Sequence, residues 1–178
     1  MKKHTKHTKL NLRKNAHYAF QEIVILGVKC SIIAQLSQKI AEKLQKTAKI
    51  AYFDASHNSD ESTPILDTFT FNDTGVLNTY TVTALNKFDT RIRFSAYDLV
   101  FINGNHYAGQ KQIVVLDPEK EASIKKRIDQ ITDVVCFVKK TNDATIFDCL
   151  KEKFKDINTI PVFDFDDVDG ISKLVANV

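Results

Sequence analysis

A three-layer α/β fold, with a mostly parallel sheet carrying helices on both faces, is predicted by three observations. Short runs rich in Val, Ile and Phe are apolar along their whole length, as strands buried on both faces are. Stretches with apolar residues at helical spacing alternate with them, the pattern that builds βαβ units. The 178 residues, 43% hydrophobic and 26% charged, suit one domain with one sizeable core.

The elements follow in order. The first strand runs from Glu22 to Gly27, and the helix after it sets Ile33, Leu36, Ile40 and Leu44 on one face against the sheet. "KIAYFDASH" is a second strand that turns polar near Asp54. Residues 55 to 66 form a polar connection containing Pro64, and "TFTFNDTGVLNTYTVT" alternates around an Asn-Asp-Thr-Gly turn as a hairpin or two short strands would. "YDLVFINGNH" and "QIVVLD" are buried strands; Asp117-Pro118 closes the second and can open a helix that carries Ile124, Ile128 and Ile131 inward. "DVVCFVKK" is another strand, residues 144–154 a helix with Phe147, Leu150 and Phe154 on one face, and "TIPVFDF" the last strand. Asp166 or Asp167 caps a terminal helix whose apolar stripe is Val168, Ile171, Leu174, Val175 and Val178.

Charge is unevenly distributed. Residues 1–21 hold six bases (Lys2, Lys3, Lys6, Lys9, Arg13, Lys14) and no acid, so residues 22–178 carry 19 bases against 22 acids, a net −3 inside a total of +3. The expected organisation is therefore a basic N-terminal arm, 1–21, before one α/β domain, 22–178. Such an arm can neutralise phosphates, but the body has no RNP motif or basic helix to make a nucleic-acid reader, and a solvated arm is the simpler reading. The apolar run Ile23 to Val28 is too short for a signal-peptide core, and nothing reaches transmembrane length. Cys30, Cys136 and Cys149 are odd in number and lack metal-like spacing, which fits a reducing cytoplasm. A soluble cytoplasmic protein is expected.

Ligands in open α/β sheets bind beyond the carboxyl ends of the strands. Four such places are readable: "GVKCS" at 27–31, "DASHN" at 54–58, "NGNHY" at 103–107 and "KKTND" at 139–143. They gather the candidate ligand-binding residues Gly27, Lys29, Cys30, Ser31, Asp54, His57, Asn103, Gly104 and His106. Cys30, His57 and His106, with Asp54 near them, are also of the types that hold zinc or another transition metal. The plainer account makes Cys30 a small buried hydrophobe and the histidines exposed loop residues, or contacts to a pterin or phosphate. Asn103-Gly104-Asn105 reads as a turn tolerant of positive φ, and Asp164, Asp166, Asp167 and Asp169 as a solvated acidic turn without a Ca²⁺-loop pattern. Tyr18, Tyr52, Tyr97 and Tyr107 are scattered and read as packing residues. No GxSxG, HExxH or kinase motif is present, so no catalytic residue is assigned.

Over most of residues 22–178 the order of pieces resembles the molybdopterin-guanine dinucleotide biosynthesis adapter family (the MobB type), a P-loop GTP-binding fold. The resemblance rests on "YDLVFINGNHYAGQKQIVVLD", on "IPVFDFDDVDGISKLVANV" and on "IAYFDASH". That family's first loop is GxxxxGK[ST], whose glycines let backbone amides converge on phosphates, whose lysine meets the terminal ones and whose hydroxyl holds magnesium. Here only Gly27 matches. No second glycine precedes Gly75, and no lysine is followed by Ser or Thr. The magnesium-supporting acid the resemblance places at the end of "LVFIN" is Asn103, a neutral amide.

The resemblance thus implies a degenerate P-loop domain that adapts or binds in molybdenum-cofactor biosynthesis, beside or fused to a molybdenum cofactor guanylyltransferase. GTP, Mg²⁺ or molybdopterin are the ligands the resemblance implies, and it implies a homodimer such as related adapters form. The partner's own LAGGxSxRMG segment is absent, so the chain is not expected to transfer GMP alone. Two other readings stay open: a nucleotide-dependent enzyme with a nonstandard loop, using Lys29 and Ser31, and a pure oligomerisation module.

Overall fold

The computed structural model describes residues 19, 21–55, 67–72, 75–78, 81–83, 87–107 and 109–178. In chain order they form β1 (Glu22–Leu26), α1 (Cys30–Leu44), β2 (Ile50–Ala55), β3 (Asp67–Asn72), β4 (Gly75–Asn78), β5 (Thr81–Thr83), α2 (Lys87–Phe94), β6 (Leu99–Asn103), β7 (Gln112–Leu116), α3 (Glu121–Lys126), β8 (Val134–Lys139), α4 (Asp148–Lys153), β9 (Val162–Asp164) and α5 (Val168–Ala176). One sheet holds all these strands in the order β5-β4-β3-β2-β6-β1-β7-β8-β9. From β3 to β9 every neighbouring pair is parallel; β4 and β5 extend one edge antiparallel, as the alternating segment predicts.

Strand alternation divides the core into two layers. Ile23, Ile25, Phe101, Ile113, Val115 and Val138 point to the face covered by Ile33, Leu36 and Ile40 of α1 and Ile171 and Val175 of α5. Val24, Leu26, Phe53, Ile102, Val114 and Phe137 point to the other face, covered by Phe94 of α2, Ile124 of α3 and Leu150 of α4. Ion pairs from Lys39 to Asp166 (3.2 Å) and Lys43 to Asp169 (2.9 Å) join α1 to the segment around α5, and Asp167 caps α5 by accepting from the Gly170 amide at 2.9 Å. The acidic turn is therefore a helix cap with two exposed ion pairs.

Right-handed crossovers dictate which helix covers which face. From β1 the chain passes through α1 to β2, on one side of β1; from β7 it passes through α3 to β8, on the other side. Travel in opposite directions puts α1 and α3 on opposite faces. The turns leaving β1 and β7 therefore diverge, and a crevice opens between them at the carboxyl edge of the sheet.

Three expectations change. A helix, α2, precedes β6, where none is readable from "KFDTRIRF". The helix expected from Asp117 to Ile131 is broken into a 3-10 turn at Pro118–Lys120, the short α3 and a second 3-10 turn at Ile128–Gln130, although Ile124 and Ile131 are fully buried as expected. The helix expected over 144–154 begins only at Asp148, because Phe147 is extended at its start. Most of the basic arm and the segment 56–66 lie outside the described residues.

Gly27 takes φ +94° as the chain leaves β1, and a Cβ there would stand 2.3 Å from the Val115 carbonyl oxygen. Both features exclude a side chain. Gly27→Ala should lose about 2–4 kcal/mol of stability in urea unfolding, and a loss well below 1 kcal/mol would show that the turn is not held as described.

Candidate functional site

Register places the site. Phe53 of β2 pairs with Ile102 of β6, so the next residues, Asp54 and Asn103, end side by side; Asn103 also pairs with Ile25 of β1. Asp54 is 8% exposed and Asn103 wholly buried, so each polar group needs a partner. The Asn103 side-chain amide donates to Asp54 Oδ1 at 2.8 Å, and the Tyr52 hydroxyl donates to Asp54 Oδ2 at 2.8 Å. Tyr52 is thus more than the packing residue its sequence suggests: it points its ring into the α1 face of the core and its hydroxyl into the site.

From Asn103 the network crosses to the turn after β1. Asn103 Oδ1 accepts from the Asn105 amide (3.0 Å), and Asn105 Nδ2 donates to the Val28 carbonyl (2.8 Å) and lies 3.5 Å from Cys30 Sγ. Gly104 fits beneath because a Cβ there would meet Val24 Cγ1 at 2.5 Å, and its amide donates to the Ile25 carbonyl at 2.8 Å. The turn from β1 to α1 is three residues long, Gly27 to Lys29, and α1 starts with Lys29 at its cap position without a side-chain cap bond.

Cys30 opens α1 half-buried, and its Sγ lies 3.3 Å from His106 Nε2. The same nitrogen stands 3.9 Å from Asp54 Oδ1. Thiol and carboxylate therefore meet one side of the imidazole. In a nucleophilic triad the acid holds the ring nitrogen opposite to the one facing the nucleophile, so this arrangement is not one. It is a thiol–imidazole contact with a carboxylate within ion-pair distance of the same nitrogen.

Of the nine candidates, the fold brings Cys30, Asp54, Asn103 and His106 into contact, with Gly27 and Gly104 as the backbone that allows it. Lys29 and Ser31 stand exposed on the outer side of the turn, Lys29 Nζ 3.9 Å from a Glu119 carboxylate oxygen. His57 lies outside the described residues. Among the described residues no three His, Cys, Asp or Glu side chains are placed to hold a metal ion. At the fourth strand end, Lys140 donates to the buried Asp117 at 2.8 Å, tying the ends of β8 and β7 together.

Residues that sequence patterns do not single out complete the edge. Arg127, at the end of α3, donates to the Gly104 carbonyl at 2.7 Å and to Asn105 Oδ1 at 3.3 Å. With Lys120 and Ser123 it lines the crevice between the turns leaving β1 and β7. Only the place after β7, missing from the four strand ends inspected, could have pointed to them.

Two buried groups set an alkaline limit. Burial pushes the Cys136 thiol up from 9.0 to about 12, and Tyr52 is raised from 10.0 by burial and by the Asp54 carboxylate against it. Both are neutral when protonated, so the unfolded chain gives up these protons first as pH rises. Their stabilisation is whole below pH 9 and is lost above it, by at most about 1.4 kcal/mol per pH unit for each group. Chemical unfolding from pH 8 to 11 should show this decline, shallower in Cys136→Ala; an equal slope in the variant would contradict it. In the same assay Asn103→Leu, which strips Asp54 of a donor, should cost about 1–3 kcal/mol.

No protein-family model matches the chain, and no curated protein matches its sequence. Two solved structures of MobB from Bacillus subtilis match its shape. One is 15% identical with a TM-score of 0.53, covering 87% of this chain and 98% of that one. The other is 13% identical with a TM-score of 0.50, covering 87% and 97%. The chain shares the α/β fold of these MobB structures.

Proposed function

We propose that the chain is a binding and adapter domain of molybdenum-cofactor biosynthesis, working beside or fused to the guanylyltransferase that makes molybdopterin guanine dinucleotide, and that it does not hydrolyse nucleotide. The reading carries over what the MobB resemblance implies, and one observation shapes it: β1 and α1 are joined by three residues in the MobB fold.

The residues present do not fit a magnesium-bound triphosphate. A cradle needs several consecutive amides free to converge on phosphate oxygens, with glycines that let them turn. Here the one glycine is packed against the Val115 carbonyl, and the Val28 carbonyl is tied down by Asn105. The buried strand-end carboxylate, Asp54, is occupied by Tyr52 and Asn103. A frame without such a cradle suits docking to a partner better than turnover.

The adapter reading is tested by two measurements on the full chain. Incubated with Mg²⁺ and GTP or ATP, it should release phosphate no faster than the buffer blank. Immobilised, it should retain a molybdenum cofactor guanylyltransferase and not an unrelated nucleotidyltransferase. Micromolar GTP binding with turnover would replace this reading with that of an enzyme using a nonstandard loop.

A further inference from the structure

The crevice between the turns leaving β1 and β7 is a cavity of about 370 Å³ lined by Gly27, Val28, Asn105, Lys120, Ser123 and Arg127. Its charge is not balanced. Arg127 is half-buried, and its two hydrogen bonds go to neutral acceptors, the Gly104 carbonyl and the Asn105 side chain. Its Nε is buried and has no hydrogen-bond partner. Among the described residues no carboxylate lies within ion-pair distance of Arg127 or Lys120.

A guanidinium taken partly out of water without an anion carries an uncompensated desolvation cost. Burial lowers the Arg127 pKa, in keeping with that cost. Bracing the Gly104-Asn105 turn accounts for the two bonds made. It accounts neither for the unpaired Nε nor for a second cation and a hydroxyl on the same wall.

We propose that this cavity binds a phosphate group, held by Arg127 and Lys120 with the Ser123 hydroxyl as a further donor. Two cations and a hydroxyl on one segment suit a tetrahedral dianion better than a single carboxylate, and each terminal guanidinium nitrogen keeps a second N–H beyond the bond it already makes. The cavity has room for more than the bare ion, so the group's source is either inorganic phosphate or a small phosphomonoester. The site draws its charges from the segment after β7, needs no amide cradle at Gly27 to Lys29, and stands whether or not the adapter reading holds.

Calorimetric titration of the full chain with inorganic phosphate and with ribose 5-phosphate tests it, against sodium chloride at matched ionic strength. Lys120→Ala and Ser123→Ala change partly or fully exposed positions, and each fold is checked by thermal melting. The expected result is saturable binding of at least one phosphate probe, weakened about tenfold by Lys120→Ala and to a lesser extent by Ser123→Ala. Equal affinity for the two probes would assign the site to inorganic phosphate, and tighter binding of the ester to a phosphomonoester. No binding above the chloride control, or affinity unchanged in both folded variants, overturns the proposal.

Discussion

The Asp54 carboxylate, buried at the end of β2, is the constraint around which the carboxyl edge of this protein is organised. A charge with so little access to water must be surrounded by donors, and it takes one from its own strand, Tyr52, and one from β6, Asn103. The Asn103 amide is then fixed in orientation, because its nitrogen faces Asp54 and its oxygen faces the Asn105 backbone. Asn105 in turn holds the Val28 carbonyl. One carboxylate thereby decides the conformation of a turn two strands away, through a chain in which each polar group satisfies the next.

That chain of bonds also closes the turn after β1 while leaving the α/β frame around it intact. The sheet order, the opposed crossovers and the crevice between them depend on strands that are apolar on both faces, and those are intact. The groups that a phosphate loop would leave free are instead joined to one another: the β1 turn to Asn105, the strand-end acid to its neighbours, the first residue of α1 to an imidazole. Positive charge lies on the far wall of the crevice, on Arg127 and Lys120. Likeness of fold by itself does not transfer an activity.

Much of the architecture was legible because its signals are strong. β1, β6 and β7 are continuous apolar runs, and every residue of each is buried. α1 shows its inward face at helical spacing. α2 was illegible for the opposite reason: "KFDTRIRF" is polar on average, Ile92 is 70% exposed and Phe94 is its fully buried anchor. In α3 the spacing of Ile124, Ile128 and Ile131 promised one long helix, yet the chain leaves the α conformation at Arg127, whose guanidinium reaches back to the β6 turn. Periodicity reports which residues face inward and not whether the backbone between them stays helical. In the site, the rule of strand ends found Cys30, Asp54, Asn103 and His106. It could not show that a Tyr52 hydroxyl, two residues before Asp54 in β2, or an arginine eleven residues after the end of β7 would join them, since those meetings exist only once the strands are ordered.

The central claim is that the turn from Gly27 to Lys29 is closed to a triphosphate. It is tested most directly by a crystal structure of the protein grown with Mg²⁺ and a non-hydrolysable GTP analogue. The account predicts that Asn105 still holds the Val28 carbonyl and that no β-phosphate is encircled by the amides between Gly27 and Ser31. A β-phosphate seated there, with magnesium beside Asp54, would contradict it.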